Sequence, residues 1–127
     1  MEYNMSFLKN WTPVAIWAGF IFYMSGKEGV NLPSFPYSDK MIHICVYAMF
    51  GFFVARALAR AHGLEAYKII IITALLAGFY GMTDEIHQTF VSTRSAELLD
   101  LIADFLGGFL GSLFPTFSIS TSQRHLT

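Results

Sequence analysis

Residues 69–90 read IIIITALLAGFYGMTDEIHQTF, and the reading of this stretch decides the fold. From Ile69 to Met82 no residue is charged; Asp84, Glu85, His87 and Gln88 then follow in quick succession. A membrane span needs about 20 residues to cross about 30 Å of hydrocarbon. The run reaches that length only if the helix takes the acids in at its end. Ionisable groups at mid-membrane cost about 2.5–3.5 kcal/mol each on insertion scales, and adjacent carboxylates must be paired, protonated or wetted. That cost is the first sign of function.

The same pattern recurs outward along the chain. Apolar runs occupy residues 14–24, 41–55 and 98–114, and the two later ones also reach spanning length only with polar ends included. The spacing predicts helices at about 12–25, 38–59, 66–90 and 95–114, with a short polar tail at 115–127. Thr12-Pro13 reads as a helix start and Gly26 as a stop. Large residues around Tyr23-Met24-Ser25 offer no small-residue cleavage site, so the first segment is expected to remain as a helix rather than leave as a signal peptide. The expected fold is all-α, a single domain formed by a four-helix transmembrane bundle with an outward-facing polar cup.

Composition agrees. Of 127 residues, 54% are hydrophobic and 13% charged, where a soluble domain carries about 25% charged. Mean hydropathy is +0.49. Eight Lys plus Arg against nine Asp plus Glu leave a net charge of −1, which excludes the basic face of a nucleic-acid binder. The single cysteine, Cys45, excludes a disulfide framework and a Cys-based zinc site. The bilayer is the expected partner. With four spans, Lys9, Arg56, Arg60, Lys68 and Arg124 share one side, against Lys27, Lys40 and Arg94 on the other. The positive-inside rule then puts both termini in the cytoplasm.

The polar residues converge on the outer end. In helix two, Lys40, His43, Tyr47 and Gly51 follow at steps of three and four, on one face beside Asp39. Asp84, Glu85 and Gln88 end helix three; Asp100 and Asp104 lie near the start of helix four; Arg94 sits in the loop between them. Gly107-x-x-x-Gly111 further along helix four lets another helix approach closely. These ten residues, Asp39, Lys40, His43, Tyr47, Asp84, Glu85, Gln88, Arg94, Asp100 and Asp104, form the expected binding site. His43, Asp84 and Glu85 are the candidates for catalysis. His43 and Tyr47 also suit plain interhelical hydrogen bonds, Arg94 an interfacial anchor or a phosphate fork, and the aspartates pairing with Lys40 or Arg94. No cofactor is expected. Spacing leaves open an oxygen-rich metal site drawn from His43, Asp84, Glu85, Asp100 and Asp104. No nucleophile elbow, phosphate loop or H-E-x-x-H helix is present.

On these residues the chain resembles the VanZ-like family of small bacterial membrane proteins. The matching pattern is Asp39-Lys40, His43 and Tyr47, then Asp84-Glu85, Gln88, Phe90 and Arg94, then Asp100, Gly107 and Gly111. The resemblance implies four transmembrane helices in the bacterial inner membrane and a role near the outer face. It links the chain to teicoplanin resistance and to ligands such as glycopeptide antibiotics or lipid-linked cell-wall precursors. A membrane hydrolase or transferase acting on a phosphorylated lipid, with or without assistance from a metal, is the alternative. One departure stands out: the family usually has Asn where this chain has Asp104, so a protonated Asp104 or a different local partner is implied. The expected cup holds five acids against Lys40 and Arg94, a charge of −3 with His43 neutral. A protonated carboxylate, with Asp104 the deepest, a cationic ligand group or a divalent cation would offset it.

Overall fold

The computed structural model describes residues 2–28 and 31–124. Four helices follow in order: α1 at Glu2–Ser25, α2 at Ser38–Ala57, α3 at Ala66–Gln88 and α4 at Leu98–Arg124. The described residues contain no strand. Helix α2 widens at its end into one π-helical turn, Leu58–His62, which Gly63 closes at φ 60°. A left-handed backbone of this kind suits glycine because no Cβ meets the carbonyl. Three stretches are long and apolar enough to cross a membrane: Ser38–His62, Ala66–Gln88 and Leu98–Ile119. Helix α1 has 24 residues but does not join them. Its first half carries Glu2, Lys9, Asn10, Thr12 and Pro13.

Two helix boundaries differ from expectation, both at prolines. Helix α1 begins at Glu2 rather than near Thr12, and Pro13 lies inside it. The Asn10 side chain donates to Ser6 O at 2.8 Å and Thr12 Oγ1 to Leu8 O at 2.6 Å, so the turns before the proline are tied along the helix. Helix α4 continues through Pro115 to Arg124, where a polar tail was expected. Ser112 Oγ donates to Phe109 O and Thr116 Oγ1 to Ser112 O, both at 2.6 Å, bracketing that proline. Proline removes one backbone donor and frees the carbonyl four residues before it; the side-chain bonds fall on neighbouring carbonyls of the same turns. The last three residues of the expected tail, 125–127, lie outside the described residues.

Helices α2 and α4 share the most extensive interface, and glycine makes it possible. A Cβ on Gly107 would strike Ile44 O, and one on Gly111 would strike Ala48 O. A Cβ on Gly51 would run into the backbone of Gly108, itself pressed against Ala77 of α3. The two backbones therefore pass at a distance that only hydrogen atoms allow. Outside this seam the surface is apolar. Ile71, Leu75, Phe79, Ile86, Ile102, Phe109 and Phe114 are all exposed, an apolar extent that suits lipid rather than water. Phe50 instead faces inward: it is 5% exposed and stacks on Tyr80.

Helix α1 lies against this platform. Trp17 Nε1 donates to Val46 O at 2.9 Å, and Tyr80 OH donates to Ala18 O at 2.6 Å. At the opposite end from the acids, Trp11 Nε1 donates to His62 Nε2 at 3.2 Å. Replacing Gly111 by Ala should lower unfolding stability in detergent by about 1–3 kcal/mol through overpacking. Gly19→Ala, with nothing within 4 Å of the added methyl, should leave the same thermal melt nearly unmoved. Equal shifts in both variants would refute the seam.

Candidate functional site

The antiparallel order of the helices brings the start of α2, the end of α3 and the start of α4 to one end, beside the end of α1. The segment leading to α2 fixes its first turn. Tyr37 adopts φ 60°, a strained conformation for a residue with a Cβ, and Ser38 Oγ donates to Pro33 O at 2.5 Å. Asp39 and Lys40 follow at the rim.

Lys40 gathers the rim acids. Its Nζ lies 2.7 Å from Asp39 Oδ2 and 2.6 Å from Asp100 Oδ1, and it also pairs with Glu97. One turn deeper, His43 stands between two aspartates of α4. Its Nδ1 is 2.8 Å from Asp104 Oδ1, and its Nε2 is 3.7 Å from Asp100 Oδ2. The first is a hydrogen bond; the second is too long for one. His43 is thus the local partner that Asp104 takes. Gly81 of α3 makes the room, since a Cβ there would overlap the Asp104 side chain, which is fully buried.

Helix α3 supplies the facing acids. Glu85 Oε2 accepts the backbone N–H of Glu97 at 3.0 Å, just before α4 begins. A carboxylate here satisfies an orphan donor and complements the positive end of the helix. Gln88 Nε2 donates weakly to Asp84 Oδ2 at 3.4 Å. Among the described residues six buried side-chain oxygens make no hydrogen bond, and besides Asp100 Oδ1, which is ion-paired with Lys40, four of them gather here: Tyr47 OH, Asp84 Oδ1, Glu85 Oε1 and Asp104 Oδ2. Buried polar atoms are nearly always satisfied, so this concentration sets the end of the bundle apart from the rest of its interior.

A cavity of about 530 Å³ opens among these groups. Asp39, His43, Tyr47, Asp84, Gln88, Arg94 and Asp100 line it, with Phe20, Ile21, Met24, Ile42 and Val46 as an apolar wall. Lys40, Glu85 and Asp104 are not on the lining and stand behind it. Arg94, half-buried on the loop, pairs with no carboxylate among the described residues. Besides the apolar wall, Ser25 and Glu97 are lining residues that the sequence reading left out of the site. Ser25 is 4% exposed, with Oγ 2.8 Å from His87 Nδ1; the His87 ring stacks on Phe22 at 4.2 Å. Glu97 completes the Lys40 cluster. Its position three residues before Asp100 was a usable signal, whereas nothing in sequence tied Ser25 to this end.

Two groups of side chains have donor atoms close enough to share a metal ion: His43, Glu85 and Asp104, and, at the rim, Asp39, Glu97 and Asp100.

Spanning helices around a polar, partly unsatisfied cup define a polytopic membrane protein with a site built between its helices. The chain belongs to the VanZ/LLP1 family, whose model matches residues 3–118. Among curated proteins and among solved structures, nothing matches the chain.

Lys40 holds the rim together, so Lys40→Met should cost about 3 kcal/mol of stability by leaving the buried Asp100 carboxylate unpaired. Adding Asp100→Asn to that variant should restore more than half of the loss, as read by chemical unfolding in detergent. Strict additivity of the two changes would show that the pair is not coupled.

Proposed function

We propose that the protein binds a lipid-linked or amphipathic ligand in this cup, at the outer face of the bacterial inner membrane with both termini in the cytoplasm. The carrying observation is the division of the cavity. One wall is apolar, from Phe20, Ile21, Met24, Ile42 and Val46, and the rest is polar with buried acceptors lacking donors. That division suits a molecule with a lipid part and a headgroup rich in hydroxyl, amide or ammonium donors. Arg94, free of carboxylate partners, suits an anionic group in the same headgroup through its planar fork.

Lipid-linked cell-wall precursors combine all three chemistries: an isoprenoid chain, a phosphate bridge, and sugar and peptide donors. Their headgroup units match a cavity of about 530 Å³, within the usual range of small-molecule sites. A glycopeptide antibiotic such as teicoplanin is too large to enter and would dock only at the rim. A role in resistance would then run through the precursor to which such antibiotics bind. A second reading, a hydrolase or transferase acting on a phosphorylated lipid, draws support from His43, which lines the cavity with one ring nitrogen held by Asp104. A carboxylate-oriented imidazole is suited to general-base work.

Binding of a short-chain lipid-linked precursor to the purified protein in nanodiscs should weaken at least ~10-fold in Arg94→Ala, the loss expected for one charged hydrogen bond. Arg56→Ala, far along α2, should bind as the parent does. No saturable binding, or equal loss in both variants, would remove the ligand reading. Release of product by the parent but not by His43→Ala would favour the enzyme. Orientation is checked separately in a Cys45→Ser background. Ser34→Cys should label from outside intact cells and Glu65→Cys should not; the reverse pattern would move the cup to the cytoplasm.

A further inference from the structure

At the floor of the cup, three helices each bring one metal-binding side chain to a common point. His43 comes from α2, Glu85 from α3 and Asp104 from α4, and one donor atom of each lies within 4.8 Å of the others. We propose that these three residues bind a divalent transition-metal cation.

The hydrogen bonds in place leave a free donor position on each group. Asp104 uses Oδ1 on His43 and leaves Oδ2 buried without a partner. Glu85 uses Oε2 on the Glu97 N–H and leaves Oε1 buried without a partner. His43 has Nδ1 against Asp104, while Nε2 has nothing nearer than Asp100 at 3.7 Å. The carboxylate on Nδ1 is the proposed ligand Asp104 itself, so the cation would take the place of the proton shared by Nδ1 and Asp104 Oδ1. The carboxylates are 6% and 0% exposed, so the free oxygens are shut off from bulk water. A second observation points the same way. Tyr47 OH, on a residue 1% exposed that also lines the cavity, has no partner either. The floor therefore lacks a bonded group for several oxygens at once.

Charge reinforces the geometry. The one ammonium nearby, Lys40, is already engaged by Asp39, Glu97 and Asp100. It fills the rim acid cluster, the other group with metal-binding spacing, and so serves there as the cation. No lysine or arginine pairs with Glu85 or Asp104 among the described residues. A dication would offset both carboxylates in a setting where unpaired buried charge does not persist. One imidazole with two carboxylates suits manganese, iron or zinc better than calcium or magnesium, which favour all-oxygen shells. The site lies behind the cavity wall and does not depend on the ligand reading, since it can be measured with no lipid ligand present.

The test uses the full chain, purified in detergent and stripped of metal, titrated with Mn²⁺ and followed by electron paramagnetic resonance. One saturable Mn²⁺ per chain is expected, and pulsed spectra of the parent should show coupling to an imidazole nitrogen. Glu85→Gln and Asp104→Asn should each weaken binding by no less than the ~10–100-fold that changes around a metal ligand produce. Asp39→Asn, at the rim, should bind Mn²⁺ as the parent does. Absence of saturable binding, or bound Mn²⁺ without nitrogen coupling, overturns the proposal even where a floor variant fails to fold. Binding that survives both floor substitutions but is lost in Asp39→Asn overturns it too, and would move the cation to the rim.

Discussion

The backbone contact between α2 and α4 is the constraint on which the rest depends. Gly107 and Gly111 press on the carbonyls of Ile44 and Ala48, and Gly51 meets Gly108. The register of that contact sets His43 opposite Asp100 and Asp104, one helical turn from the point where the helices touch. A wider separation would leave the 2.8 Å contact between His43 and Asp104 unmade. Packing of this kind does not rely on the hydrophobic effect, which is weak between helices already in lipid. It rests on close approach, and so a single methyl group can disturb the site from a distance.

The acids sort into two settings. At the rim, three carboxylates converge on one ammonium and form a compact cluster. Deeper in, Asp84, Glu85 and Asp104 have a neutral amide, a backbone N–H and an imidazole as hydrogen-bond partners. The rim arrangement is that of a structural clasp; the floor has unspent acceptor capacity. A purely structural network would be expected to use that capacity within the protein.

Much of this was legible because a charge in an apolar run stands out. Asp84-Glu85, His43 and Asp100 announced themselves by their cost, and the glycine spacing of α4 announced the seam. The apolar wall was not legible. Phe20, Ile21 and Met24 line the cavity, while Phe22 and Tyr23 beside them are exposed. In a membrane helix both faces are apolar, so periodicity cannot separate them. Ser25 was hidden for the same reason, since only the packing of α1 on α3 brings it to His87. The prolines misled in the other direction. Pro13 read as a helix start and α4 was ended with its apolar run just before Pro115, but both helices continue through, with neighbouring Asn, Ser and Thr side chains bonded back along them.

Helix α1 has a different standing in the bilayer from its three companions. It leaves the ribosome before them, yet it alone falls short of the apolar length that stabilises a lone span. Its hold on the bundle comes from Trp17 reaching Val46 and from Tyr80 reaching Ala18, bonds whose partners are synthesised later. The order of synthesis and the order of stabilisation therefore run in opposite directions. The part of the apolar wall that α1 contributes, Phe20, Ile21 and Met24, is held only once α2 and α3 have been made.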